Sequence, residues 1–278
     1  MIVGLVLAAG GFGAGVFGSL LGLGGGVLIV PLLTVGFGVP FREAVGVSLV
    51  CVIVTSSAGA GVFLERHLAN LRLGMTLEVF TATGALVGGL VAFALPEQVL
   101  AGLFAILLAY TAVSMLRGGR TAASSLPVTA DEQGIDDAGA DPPPSSLADE
   151  IAGPGYRPHH LAAGAGGSLG AGVLSALLGV GGGIVKVPLM HLVMGVPLKV
   201  ATATSNLMIG VTAAASAIVY LLRGGIDPYV AGPTAVGVFV GAMVGSRLAS
   251  RIHVDLLRLL FVGVLGLTAV QMILRALG

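Results

Sequence analysis

The chain has 278 residues, 56% hydrophobic and 9% charged, with a mean hydropathy of +1.05 and 13 basic residues against 13 acidic ones. A water-soluble domain of that length could not cover its surface with so few polar groups, so the composition describes a helical membrane protein with the lipid bilayer as its solvent. Zero net charge gives no reason to expect a nucleic-acid partner, and the lone cysteine, Cys51, excludes an internal disulfide.

A bilayer core of about 30 Å needs about 20 apolar residues of helix. In chain order the predicted membrane segments are 2–21, 27–37, 44–64, 77–95 and 99–116, then 161–178, 184–194, 200–222, 229–249 and 259–274. No Lys or Arg precedes Ile2, so the first segment lacks the charged start of a cleaved signal peptide and is expected to be retained. Segments 27–37 and 184–194 have only eleven residues each. At 1.5 Å per residue each reaches about half-way across, so each is expected to be a half-helix, a re-entrant arm or part of a broken helix. Residues 118–160 are rich in Pro, Gly, Ser and Asp and hold seven of the 13 acidic residues. Such a stretch cannot bury a core and is expected to be a flexible, soluble linker between a first membrane unit, 1–117, and a second, 161–278.

The two units repeat one another. Leu21 to Ser48 read LGLGGGVLIVPLLTVGFGVPFREAVGVS, and Leu178 to Ser205 read LGVGGGIVKVPLMHLVMGVPLKVATATS, aligned without a gap at a constant offset of 157 residues. The same offset pairs Gly84, Ala85 and Gly88 with Gly241, Ala242 and Gly245. An internal repeat of this length means two copies of one structural unit.

Orientation follows from the basic residues. If the segments alternate, one face collects Arg66, Arg72, Arg117, Arg120, Arg157, Lys199, Arg247, Arg251 and Arg258, and the other only Arg42, Arg223 and Arg275. The rich face is expected to be cytoplasmic. Four crossings per unit would mix the charges seven against five. An odd number is therefore expected, with about five segments per unit, either five full crossings or three crossings plus a hairpin that enters and leaves by the same face. The two repeats then lie in opposite orientations, with the linker cytoplasmic and both termini outside. Inverted repeats with short, Gly/Pro-interrupted segments at matching positions are a pattern of secondary transporters, whose sites lie near the midplane between the repeats.

The paired G-x-GGG-x-x-x-VP-L motifs, Gly22 to Leu32 and Gly179 to Leu189, are each followed by a G-V-P turn and a serine-bearing segment. In this the chain resembles the sulfite exporter TauE/SafE family of anion transporters. The resemblance covers both units and implies movement of sulfite, sulfonates or related sulfur-containing anions across the inner membrane.

The motif carries its own chemistry. The glycines Gly24, Gly25, Gly26, Gly181, Gly182 and Gly183 permit positive φ and close approach, and irregular backbone within a membrane is tolerated only where protein covers it or it lines a cavity. A glycine turn leading into a short helix presents free N–H groups to an anion, and Pro31 and Pro188 suit the first turn of such a helix. The alternative is that the glycines only let helices pack closely, which also accounts for Gly84/Gly88 and Gly241/Gly245.

Lys186 stands where the first unit has Ile29 and is placed well inside an apolar segment. A buried cation there is read as functional by default, with snorkelling to the interface as the alternative. His191 could bind substrate or carry a proton, or be an ordinary hydrogen-bonded histidine. Thr202, Thr204, Ser205 and Asn206 form a polar run beside a motif whose first copy offers Ser48, and such side chains either bind an anion or join helices. Glu43 and Glu78 fall near predicted segment ends and are expected to be interfacial. With so few buried acids, a carboxylate proton relay is not expected; of the two coupling ions considered, H+ and Na+, sodium held by backbone carbonyls stays open. Gly13-x-Gly15-x-x-Gly18 lies in an apolar segment without the strand-helix context of a dinucleotide fold. No metal cluster, cofactor motif or nucleophile-base pair is readable.

The expectation is an all-α integral membrane protein of two inverted repeats, working as a secondary carrier for a small sulfur-containing oxyanion by alternating access. A passive channel on the same frame is one alternative. A membrane-embedded enzyme is another, and would need an interfacial cluster of acids or histidines that the sequence does not offer.

Overall fold

The computed structural model describes residues 2–20, 26–65, 69–117, 158–248 and 262–272, all helix and connecting loop, with no strand among them. The predicted linker lies outside these residues except at its end, as do Gly24 and Gly25. The helices are α1 (Ile2–Leu20), α2 (Gly26–Pro31), α3 (Phe41–Glu65), α4 (Leu71–Ala94), α5 (Glu97–Arg117), α6 (Leu161–Leu178), α7 (Gly183–Pro188), α8 (Leu198–Leu222), α9 (Pro228–Leu248) and α10 (Val262–Met272). Among the described residues, four helices are long and apolar enough to cross a membrane: α4, α6, α8 and most of α9. The chain is an integral membrane protein, and its outward faces agree: Leu5, Met75, Val79, Ile106, Leu222 and Tyr229 are all exposed.

The offset of 157 residues carries into the structure. α2 and α7 coincide with each other, and so do α3 and α8, residue for residue at both ends. Each of the two short helices continues as a five-residue π turn, Leu32–Gly36 and Leu189–Val193. The expectation of short segments at 27–37 and 184–194 is met, but the prolines sit elsewhere than expected. Pro31 and Pro188 close their α turns instead of opening them. A proline inside a helix lacks the N–H for the ordinary ladder. The wider register takes over beyond it, with the Met194 N–H donating to Leu189 O at 3.2 Å.

The units interlock rather than sit side by side. The most extensive contacts are α1 with α9 and α4 with α6, the first helix of each unit against the fourth of the other. Both seams are built on glycine. A Cβ on Gly84 would lie 2.1 Å from Leu169 O, and one on Gly241 2.1 Å from Phe12 O, so the backbones meet without side chains between them. Between these seams α3 packs on α8. The two run antiparallel, because Gly46 meets Gly225 while Gly210 meets Ser56. α4 and α8 run parallel, with Gly74 against Thr204 and Gly89 against Val219.

Candidate functional site

α4 begins six residues earlier than the hydropathy of its sequence suggests. The Asn70 side chain caps it by accepting from the Leu73 N–H at 3.0 Å, which compensates for a start made polar by Arg72 in the first turn and Thr76 in the second. Glu78 is thereby set seven residues into the helix, about 10 Å from its start. Glu78, expected at an interface from its place near a segment end, is buried in protein at only 8% exposure.

Its partner is Lys186, 1% exposed on α7. Lys186 Nζ donates to Glu78 Oε2 at 3.2 Å and to Thr212 Oγ1, on α8, at 2.5 Å. The Thr212 hydroxyl reaches Glu78 Oε1 at 2.7 Å and also Met208 O at 3.0 Å. Three side chains from three helices thus close a ring of charge-assisted hydrogen bonds, one member from the first unit and two from the second. Each ion removed from water costs several kcal/mol, and only such complete pairing returns it. An ammonium group has three donors, and the ring uses two of them.

The glycine turn before α7 passes close to the lysine. Gly179, Gly181 and Gly182 have φ of +70°, +78° and +75°, the left-handed region that a side chain disfavours. A Cβ on Gly181 would also lie 2.7 Å from Ile209 and 2.9 Å from Val52, so the turn is wedged between α3 and α8. A Cβ on Gly182 would touch Ser175 at 3.3 Å and Lys186 Cε at 3.6 Å, and one on Gly183 would reach Ser205 Oγ at 3.7 Å. The hydroxyls of Ser168, Ser175 and Ser205 are buried with no hydrogen-bond partner in the described structure. Such groups are uncommon in a native interior, where buried polar atoms are paired with protein or with ordered water.

Ser48 sits at the matching place in the first unit and is differently used. Its hydroxyl lies 2.8 Å from Gly179 O and 3.2 Å from Gly26 O, which ties the two glycine turns together across the units. Gly26 leaves no room there, since a Cβ would fall 2.7 Å from Gly179 O. The structure therefore gathers Gly26, Ser48, Gly181, Gly182, Gly183, Lys186 and Ser205 of the sequence-derived set. The remaining residues have local roles or lie apart. Thr204 Oγ1 accepts from the Asn70 N–H at 2.9 Å, Thr202 donates to Leu198 O, and Asn206 is half-buried on α8. His191 is exposed, with Nδ1 2.9 Å from Val196 O. Pro31 and Pro188 set the helix-to-π transitions. Thr212, Ser168 and Ser175 were not singled out from sequence, and Glu78 was named there only as an interfacial residue. A buried lysine requires a counter-charge, and that requirement was the one signal pointing to Glu78.

The polar cluster occupies only one of the two repeat-related places. At the offset of 157, Glu78, Lys186 and Thr212 correspond to Ala235, Ile29 and Thr55. Ile29 and Ala235 are buried and apolar.

The family model for the sulfite exporter TauE/SafE matches residues 7–272, and the chain belongs to that family. It is 24% identical over 276 residues to the probable membrane transporter protein YunE of Bacillus subtilis, covering 97% of each chain. It is 26% identical to the probable membrane transporter protein MJ0441 of Methanocaldococcus jannaschii, covering 95% of this chain and 93% of that one. It is 29% identical to the probable membrane transporter protein MamO of Paramagnetospirillum magneticum, where 98% of this chain spans 44% of the relative. No solved structure matches the chain.

Proposed function

We propose that this member of the sulfite exporter TauE/SafE family, a membrane transporter, is a secondary carrier for a small sulfur-containing oxyanion such as sulfite or an organosulfonate. The observation that carries the reading is the buried Glu78–Lys186–Thr212 ring beside the glycine turn and the unpartnered serines. A cation held in a membrane interior at such cost is a functional feature by default. The third Lys186 donor and the hydroxyls of Ser175 and Ser205 offer an oxyanion hydrogen bonds of the kind it makes with water.

Two units of opposite orientation, in an inner membrane with the linker cytoplasmic and both termini outside, complete the reading. The antiparallel run of α3 and α8 and the crossed seams α1–α9 and α4–α6 support it. Transport is by alternating access, one part rocking against the other around the ring. The test is uptake of radiolabelled sulfite into proteoliposomes, with sulfate, thiosulfate and taurine as competitors, followed by counterflow. Saturable uptake with exchange of labelled for unlabelled anion is the expected result. Linear, non-exchanging flux would identify a channel, and no flux for the whole panel would overturn the anion assignment.

A further inference from the structure

We infer that Glu78 is the proton-binding site of the carrier, and that a proton and an anion enter the cluster together because each displaces the other's partner. The inference rests on the carrier reading above and adds its coupling ion. Its basis is charge balance at side chains that protein buries, Lys186 at 1% exposure and Glu78 at 8%.

As it stands the ring is neutral, one carboxylate against one ammonium. A monoanion added beside Lys186 would leave one uncompensated negative charge buried, at a cost of several kcal/mol. With a proton on Glu78 the balance returns to zero: neutral carboxylic acid, ammonium, anion. The O–H bond forms on Glu78 as its ion pair with Lys186 is lost, and Nζ turns its donors to the oxyanion. On release the order reverses, and the proton leaves to the side that takes the anion. One proton accompanies each monoanion carried, in the same direction.

The hydrogen-bond geometry permits the exchange without orphaning a donor. Thr212 Oγ1 already has a second acceptor within reach, Met208 O at 3.0 Å, and a protonated Glu78 can donate to the Thr212 oxygen in return. Ser175 and Ser205 supply hydroxyls that nothing in the described structure occupies.

Other titratable groups on the packed elements are few and distant along their helices. On α4 there is only Arg72, in the first turn, and α6 has none. α7 has Lys186 alone, and its π extension has His191, exposed and bonded to Val196 O. α8 has Lys199 in its first turn and Tyr220, whose phenol donates to Ala176 O at 3.0 Å. α3, packed along α8, has Arg42 and Glu43 in its first turn, the buried thiol of Cys51, and Glu65 as its last residue.

The experiment compares wild type with Glu78→Gln in proteoliposomes, using radiolabelled sulfite and, separately, methanesulfonate, a monoanion that does not titrate in this range, with and without an imposed pH gradient. Sulfite titrates by itself, but equally for both proteins, so their difference isolates the carboxyl. Wild-type uptake should rise several-fold when the side of entry is acidic, and the ratio should fall to about one in Glu78→Gln. Should that variant not fold, wild-type protein is treated with dicyclohexylcarbodiimide, which attacks protonated buried carboxyls, and the label is located by peptide mass spectrometry. Sulfite should then increase labelling at Glu78. A Glu78→Gln protein that keeps the gradient response, or labelling indifferent to sulfite, overturns the inference and leaves the carrier standing. Wild-type vesicles that move neither anion overturn the carrier reading itself.

Discussion

Lys186 and Glu78 are each tolerable in the membrane only because of the other. Removing one partner leaves a bare charge, so Glu78→Ala or Lys186→Ala should each cost about 3–5 kcal/mol. The double variant Glu78→Ala/Lys186→Ile gives the cluster the apolar pair found at its repeat-related place, Ala235 and Ile29. It should recover most of that loss and still carry no anion, as thermal unfolding in detergent and vesicle uptake would establish together. Stability and transport that fell and rose together across the three variants would make the ring a structural clamp only. The lysine was legible in the sequence as a cation out of place. Its partner was not, because Arg72 and Thr76 dilute the hydropathy at the start of α4 and moved the predicted boundary to Leu77, leaving Glu78 at an edge. The Asn70 cap, three residues before Leu73, was the local sign that the helix begins earlier.

The helices were legible where repetition reinforced hydropathy. The half-length segments stood out in both copies, and their observed bounds agree to within a residue of those predicted. What the pattern does not reveal is which helices touch, since that depends on glycines whose role appears only when two backbones meet. Gly84 and Gly170 separate the cases. An alanine at Gly84 would place Cβ 2.1 Å from Leu169 O, so α4 and α6 must part, at a cost of about 1–3 kcal/mol. At Gly170 nothing lies within 4 Å, so Gly170→Ala should be neutral or stabilising by up to about 1 kcal/mol through helix propensity. Thermal unfolding of the two variants side by side would check the contrast, and equal losses would show that the α4–α6 seam is not close-packed.

At the scale of the molecule, the charge bias predicts that the linker faces the cytoplasm. Cys51 is fully buried, so a cysteine placed at Ser145 should be the one reactive thiol in cells. A membrane-impermeant maleimide should label it in inverted vesicles and not in intact cells; the opposite pattern would turn the whole topology over. Because the carboxylate is in one half and the ammonium in the other, while their counterparts are Ala235 and Ile29, the halves are not interchangeable. Two first halves joined together would carry twin glutamates and no lysine, and two second halves twin lysines and no glutamate. Expressed as separate polypeptides, the halves should restore anion uptake only as the mixed pair, so that a heterodimer, and neither homodimer, would inherit the activity of the fused chain.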